Sequence, residues 1–249
     1  MKRMMFFARR NAKEILRDPI SMCFGIIFPV VLLALLSLIN NAIPEEGNVT
    51  IFSIENLAPD IAAFGLCFLS LFASMLIAKD RCSSFMLRLR TSPLRSWEYI
   101  VGYSVPMLPM ALAQSVICML AAIPMGAKFS INVFAMAVGL LPTACLYIAL
   151  GLLLGSVLSE KAVGGVCGAL LTNVSGWLSG TFFSIELIGG TFEKVCKVLP
   201  FYPSAKAAKA LLEGNWGDAL GNITIVSAWA VVAAVCAVLV FTRKMKSDK

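Results

Sequence analysis

Residues 131–158 read INVFAMAVGLLPTACLYIALGLLLGSVL and contain no Asp, Glu, Lys or Arg. An α-helix rises about 1.5 Å per residue, so a helix of this length crosses a hydrocarbon core about 30 Å thick. Five other stretches of 18 residues or more share this property: residues 20–39, 61–78, 99–125, 162–185 and 222–241. The pattern predicts an all-α membrane protein, a single transmembrane domain over residues 1–249 with six transmembrane helices.

The composition supports the same class. Apolar residues make up 59% of the chain, charged residues 14%, and the mean hydropathy is +0.86. Most side chains therefore have no polar face to offer to water, which excludes a soluble globule. The net charge of +7 arises from basic residues at the ends of the spans. Membrane lipid accounts for these residues, and we expect no nucleic-acid partner.

The distribution of Lys and Arg predicts the orientation. Of the 21 basic residues, 16 precede the first span, follow the last, or lie between spans two and three or spans four and five. Basic loops remain in the cytoplasm. We therefore expect a multi-pass protein of the cell membrane, of bacterial type, with both termini cytoplasmic.

Residues 3–17 predict a helix that lies in the cytoplasmic interface. Periodicity of 100° per residue divides its side chains between two faces. The apolar arc holds Met4, Met5, Ala8, Ala12, Ile15 and Leu16, and the basic arc holds Arg3, Arg9, Arg10, Lys13 and Arg17. Phe6 and Phe7 lie off the apolar arc. The alternative is an ordinary basic tail.

Two connecting segments have helical patterns of their own. In residues 79–98, a helix from Asp80 to about Arg90 precedes Ser92-Pro93, which fits the start of a second helix. This predicts a cytoplasmic elbow, with a plain positive-inside loop as the alternative. Residues 186–221 are apolar with few charges, which predicts short re-entrant helices that dip into the outer leaflet.

Six glycines are spaced in pairs four residues apart, which permits close helix packing. We expect packing within the chain, although one face could meet a second subunit. The pairs are Gly151/Gly155, Gly164/Gly168 and Gly176/Gly180. The eight cysteines form no CxxC motif, so neither a disulfide framework nor a metal site is predicted.

Residues that would support enzymatic chemistry are absent. The chain has no histidine and no GxxxxGK[ST] loop, which excludes Ser-His hydrolysis and ATP binding by a phosphate loop of its own. Aspartyl proteolysis needs two aspartates in the membrane, and every aspartate lies at or beyond a predicted span end. We therefore expect no catalytic site and no cofactor on this chain, and we expect a conduit that is powered by something else.

The order of several short motifs resembles the ABC type-2 permease family over essentially the whole chain. The motifs are Arg17-Asp18-Pro19, Phe28-Pro29, Lys79-Asp80-Arg81, Arg90-Thr91-Ser92-Pro93-Leu94, Tyr99-Ile100-Val101-Gly102, Ser179-Gly180-Thr181-Phe182-Phe183 and Leu199-Pro200. The resemblance implies the membrane subunit of an ABC exporter, working as a dimer with a second copy or a homologue. A separate ATPase subunit would hold ATP and Mg²⁺.

The resemblance also implies a coupling helix in the elbow, seated in the ATPase. Its contact residues would be Asp80, Arg81, Phe85, Arg88 and Leu89. The polysaccharide-exporting subgroup has a Tyr-Lys and a Leu-Gly-x-x-Trp pattern before the first span, which residues 1–19 lack. This favours export of a drug, an antibiotic peptide or a lipid. The alternative is a non-pumping immunity, signalling or scaffold protein.

A few side chains inside the spans are candidates for the substrate path. The polar ones are Gln114, Thr143, Thr172, Asn173 and Ser175. A polar group facing lipid is costly, so these should face protein or a cavity. Interhelical hydrogen bonding is the alternative. An adaptable apolar surface for hydrophobic or amphipathic substrates could come from Phe28, Phe68, Met75, Phe182 and Phe183, with plain packing as its alternative.

Overall fold

The computed structural model describes residues 2–42, 53–83, 96–128 and 130–247. In chain order its helices are α1 (Lys2–Arg17), α2 (Pro19–Met22), α3 (Phe28–Ala42), α4 (Ile54–Gly65), α5 (Phe68–Cys82), α6 (Ser96–Ser104), α7 (Met107–Ala122), α8 (Asn132–Gly139), α9 (Leu141–Val157), α10 (Glu160–Val163), α11 (Thr172–Ser179), α12 (Ile185–Ile188), α13 (Gly190–Val198), α14 (Phe201–Glu213) and α15 (Trp216–Ser247).

Consecutive helices join into six stretches, within the described ranges, that are long and apolar enough to cross a membrane. These are Cys23–Ala42, Ile54–Cys82, Trp97–Met125, Asn132–Val157, Glu160–Ser179 and Trp216–Lys244. The predicted all-α membrane fold is thus confirmed. The second stretch begins seven residues before its predicted start. The fifth ends at Ser179, before residue 185, because Gly180 adopts a left-handed backbone (φ +80°) that ends the helix.

Span one bends at its proline. Pro29 has no N–H for the carbonyl of Gly25, and its ring crowds that carbonyl. The chain responds with a π-helical turn over Cys23–Ile27 immediately before α3. A wider turn of this kind is a usual cause of a local bend in a helix.

Span two forms the centre of the bundle. In its apolar window 94% of residues are buried, against 22% in spans one and six. Two of the predicted glycines explain how α9 packs on it. A methyl group at Gly151 or Gly155 would collide with the backbone of Ser70 or Ser74 on α5, so close packing within the chain is confirmed there.

Three helices, α12, α13 and α14, follow span five, and their predicted position as re-entrant helices in the outer leaflet stays a prediction. The last of them, α14, packs against α4, α8 and α15. These three helices lie at the end of the bundle where α4 begins. The opposite end, where α5 ends and α6 begins, is called here the elbow end.

Candidate functional site

A buried ion pair joins α1 to α5 at the elbow end. Asp80 on the last turn of α5 has 2% of its surface exposed. Arg10 donates to both of its carboxylate oxygens, at 2.6 Å to Oδ2 and 2.8 Å to Oδ1. Tyr103 of α6 adds a third hydrogen bond, at 2.9 Å to Oδ2. This bidentate geometry is the strongest form of Arg–carboxylate pairing, and we call these three residues the junction.

Packing around the junction holds α1 close to α6. The Phe7 ring lies edge-on to the Tyr103 ring, with centroids 4.9 Å apart. The Asn11 amide donates to the backbone oxygen of Gly102 at 3.1 Å. A methyl group at Gly102 would collide with Phe7, so glycine permits this helix crossing.

This contact face corrects the predicted faces of α1. Phe7, placed off the apolar arc, is buried, and Arg10, placed on the water-facing arc, is bound to Asp80. Met5 and Leu16, expected on the apolar arc, are 63% and 70% exposed. Periodicity separates apolar from charged residues, but it cannot tell a face that packs on protein from a face that meets lipid, and a buried acid can draw an arginine inward.

The predicted coupling residues divide into two groups. Asp80 belongs to the junction, and Arg81 donates from Nη1 to the backbone oxygens of Gly155, at 2.8 Å, and Leu158, at 3.2 Å. Arg81 thereby satisfies carbonyls at the C-terminal end of α9 that have no partner inside the helix. The other predicted residues, Phe85, Arg88 and Leu89, lie outside the described residues. The structure therefore anchors the start of the segment between α5 and α6.

A groove of about 910 Å³ lies beside the junction, between α1 and α5. Arg9, Lys13 and Arg17 line one part of it, and apolar side chains from α5, including the predicted Met75, line another. Three acids, Glu14, Asp18 and Glu160, line it as well, so the groove offers charged side chains with an excess of bases beside an apolar wall.

The predicted polar path residues form hydrogen bonds with separate partners. Thr143 donates to Ser204 of α14 at 3.1 Å, and Gln114 of α7 donates to the backbone oxygen of Ala62 at 3.4 Å. Thr172 bonds to the Cys167 oxygen, and the exposed Asn173 bonds to the Ala169 oxygen. Ser175 is fully buried. Thr143 and Gln114 thus bond between helices, as the alternative interpretation expects.

Most of the predicted aromatic residues, unlike the polar ones, belong to one series of ring contacts. Rings follow one another along spans one and two, in the order Phe24, Phe28, Phe68, Phe64 and Phe182, with successive centroids 5.1–6.2 Å apart. Sequence reasoning missed Phe64, which lies between Phe68 and Phe182, and Phe24, which extends the series at its other end. Phe183 lies apart from this series, beside Phe192.

Sequence reasoning also missed a buried acid at the opposite end. Asp60 was predicted at a span end, but α4 begins at Ile54, and Asp60 is 2% exposed inside that helix. Its Oδ2 pairs with Lys209 of α14 at 2.8 Å. The sequence feature that could have indicated a buried acid is the pair Lys206 and Lys209, which lie one turn apart in a mostly apolar helix.

A pocket of about 230 Å³ surrounds this ion pair. Glu186 also lines it and accepts hydrogen bonds from Tyr202, at 2.6 Å, and Ser184, at 2.9 Å. These two bonds lower the pKa of Glu186 to about 2, with a further contribution from Lys206. We call this the far pocket. No cluster of His, Cys, Asp and Glu able to hold a metal is present in the described part of the chain.

Two comparisons with known proteins complete the description. A family model described as "ABC-2 type transporter" matches residues 3–212. The matched range includes the junction, the segment between α5 and α6, and the far pocket. A comparison with individually curated proteins gives no significant match.

Proposed function

Because the chain belongs to the ABC-2 type transporter family, whose members are permease subunits that work with an ABC ATPase, we propose that it exports an amphipathic substrate by alternating access. The family membership that the sequence motifs indicate is therefore confirmed. The chain would work as a dimer with a second permease and would draw its energy from ATP and Mg²⁺ on the ATPase subunit. The elbow end would face the cytoplasm, as the distribution of basic residues indicates.

The junction is the observation that carries this proposal. It binds α1, the end of α5 and the start of α6 at one buried carboxylate. Residues 84–95 connect α5 to α6, so a force that an ATPase applies to this segment would act on three helices together. Arg81 extends the connection to α9.

The substrate class follows from the groove and the aromatic series. The groove of about 910 Å³ combines Arg9, Lys13 and Arg17 with apolar residues, which suits a molecule with a polar head and an apolar tail. Phe24 and Phe28 are 39% and 37% exposed, so the aromatic series is accessible at that end. Adaptable apolar surfaces of this kind accept varied substrates. We therefore favour a drug, an antibiotic peptide or a lipid as the substrate.

Transport in proteoliposomes tests the proposal. The chain reconstituted with its ATPase subunit should transport when ATP is present, and transport should continue after the proton gradient is collapsed. Transport by the chain alone, driven by a pH gradient, would refute the proposal. In a cysteine-free background, single cysteines at Asn48 and Ser84 should label from outside and inside respectively, and labelling of both from one side would contradict the orientation.

A double substitution in the elbow tests coupling itself. Burial of a large apolar side chain contributes about 1.5–3 kcal/mol, so Phe85→Ala with Leu89→Ala should weaken ATPase association at least tenfold. Neither residue lies in a predicted span, and membrane insertion should be unchanged. Normal association in this variant would show that the elbow is a solvated loop.

A further inference from the structure

The far pocket contains a buried carboxylate oxygen without a partner. Lys209 reaches only Oδ2 of Asp60, and Oδ1 has no hydrogen-bond partner among the described residues. A buried oxygen that carries negative charge and accepts no hydrogen bond is costly. An ion pair kept only for stability would satisfy both oxygens, as the junction does for Asp80. Asp60 therefore has capacity for one further N–H donor.

The charges around Asp60 are balanced. The far pocket holds two carboxylates, Asp60 and Glu186, and two ammonium groups, Lys206 and Lys209. Glu186 already accepts hydrogen bonds from Tyr202 and Ser184 and forms an ion pair with Lys206 at 3.5 Å. The side chains of Lys206 and Lys209 are 50% and 31% exposed, so they can turn towards water or a ligand. Asp60 is the fixed charge of the pocket, and Lys209 is its movable partner.

We propose that the far pocket binds a zwitterionic group, a primary ammonium next to a phosphate or carboxylate, on the exported substrate. The ammonium takes the place of Lys209 at Asp60, and the freed Lys209 binds the anionic group together with Lys206. This inference rests on the export function proposed above and specifies its substrate. The pocket is neutral before and after the exchange, so no buried charge is left without a partner.

The unpaired oxygen sets the selectivity for the ammonium. A primary ammonium has three N–H donors and can reach Oδ1 as well as Oδ2. A quaternary ammonium carries the same charge but has no N–H, and it would leave Oδ1 unsatisfied. Oδ1 is closed to water in this conformation, so binding requires the Lys209 side chain to move.

Binding of short-chain lipids to the full chain in detergent tests the inference. Dihexanoyl phosphatidylethanolamine has a primary ammonium, the matched phosphatidylcholine has a quaternary one, and the matched phosphatidylglycerol has none. Measured by equilibrium dialysis, the ethanolamine lipid should bind at least tenfold more tightly than either of the others. Equal binding of the three lipids overturns the inference. This comparison uses the unaltered protein, so no variant has to fold.

Variants then locate the binding. Asp60→Asn should reduce binding of the ethanolamine lipid at least tenfold, and Lys206→Met, which removes a contact to the anionic group without freeing Asp60, should also reduce it. Lys194→Met, which removes an exposed lysine of α13 outside the pocket, should leave it unchanged. Unchanged binding in Asp60→Asn overturns the inference. Free phosphoethanolamine should compete with the lipid: equal competition identifies a soluble zwitterion as the substrate, and weaker competition identifies a lipid.

The result of the lipid-binding test can be distinguished from the result of the test of export. ATPase association and ATP-driven turnover are measured on the same preparation. A complex that hydrolyses ATP but does not prefer the ethanolamine lipid refutes the far-pocket inference alone. Failure to associate with any ATPase refutes the export proposal, and the dialysis result for the chain still decides the pocket.

Discussion

The two buried aspartates at opposite ends of the bundle make a direct comparison. Asp80 and Asp60 are each 2% exposed, and each pairs with a base from another helix. Asp80 receives two bonds from a guanidinium and one from a tyrosine. Asp60 pairs with Lys209 through Oδ2, and its Oδ1 has no hydrogen-bond partner among the described residues. The same kind of acid is therefore saturated at one end and incompletely bonded at the other.

The difference indicates which end is held rigid. The planar fork of arginine fixes both the distance and the orientation of its carboxylate, whereas a lysine acts as a point charge on a flexible stem. The junction suits a connection that must transmit force without slipping. The far pocket suits a contact that can be made and broken, because Lys209 has a flexible stem and reaches only one oxygen of Asp60.

The largest expected difference in stability is between substitutions of the two aspartates themselves. Asp80→Asn removes the charge that holds Arg10 and weakens the bond from Tyr103. Because Arg10 is 36% exposed and also pairs with Glu14, the cost should be about 2–3 kcal/mol. Asp60→Asn loses one bond and lets Lys209 turn to water, so its cost should be about 1 kcal/mol at most. Chemical denaturation of the purified chain in detergent measures both. Equal losses would mean that the unpaired oxygen at Asp60 has no energetic meaning.

The next effect concerns the tyrosines. Tyr103→Phe removes a hydrogen bond to a buried carboxylate and should cost about 1.5–3 kcal/mol. Tyr202→Phe removes the corresponding bond to Glu186, which is 56% exposed, so water can replace it and the loss should stay below about 1 kcal/mol. The denaturation midpoints of the two variants provide the measurement. A larger loss for Tyr202→Phe would reverse the assignment of the rigid end.

Changing the basic partner of each aspartate tests the same comparison from the other side of the ion pair. Lys209→Arg supplies a second donor for Oδ1 of Asp60, so it should stabilise the protein by about 1 kcal/mol and reduce binding of the ethanolamine lipid. Arg10→Lys removes one donor from Asp80 and should destabilise by a similar amount. Lys206→Arg serves as the control, because the Glu186 carboxylate already accepts several donors. A loss of stability in Lys209→Arg would contradict the incomplete bonding of Asp60.

The smallest effect is the pH dependence at Glu186. Hydrogen bonds from Tyr202 and Ser184 lower its pKa from 4.5 to about 2 in the folded protein. The carboxylate therefore contributes stability that is fully present above pH 4.5 and is lost as the pH falls towards 2. Because Glu186 is largely exposed, the contribution should be below about 1 kcal/mol. The stability difference between the wild type and Glu186→Gln should shrink across this window, and a constant difference would refute this.

Some local features could be predicted from sequence because they depend on the backbone. Pro29 lacks an N–H whatever surrounds it, so a disturbance of span one follows from its identity. Gly151 and Gly155 lack a Cβ, so close helix packing is predictable, although their partners on α5 are not. Where a helix ends is less predictable. Gly180 ends span five by its positive φ, but the glycine-rich stretch before it continues as a helix.

The site residues were harder to predict because their roles depend on distant partners. Arg10 and Asp80 are 70 positions apart, and nothing near Arg10 in the sequence distinguishes it from Arg9 or Lys13. Thr143 and Gln114 were identified as polar residues in spans, but only their partners show that they join helices. Asp60 was missed because the limit of the charge-free stretch was used as the limit of the span.

The sequence by itself determined that the chain is an all-α membrane protein and which family it belongs to, because apolar length and the order of short motifs are properties of the chain alone. The tertiary structure decided which charges are buried, which face of α1 packs on protein, and which carboxylate keeps a free oxygen. The physical reason is that the energy of a buried charge depends on the donors that distant helices bring to it, and those distances do not exist until the helices have packed.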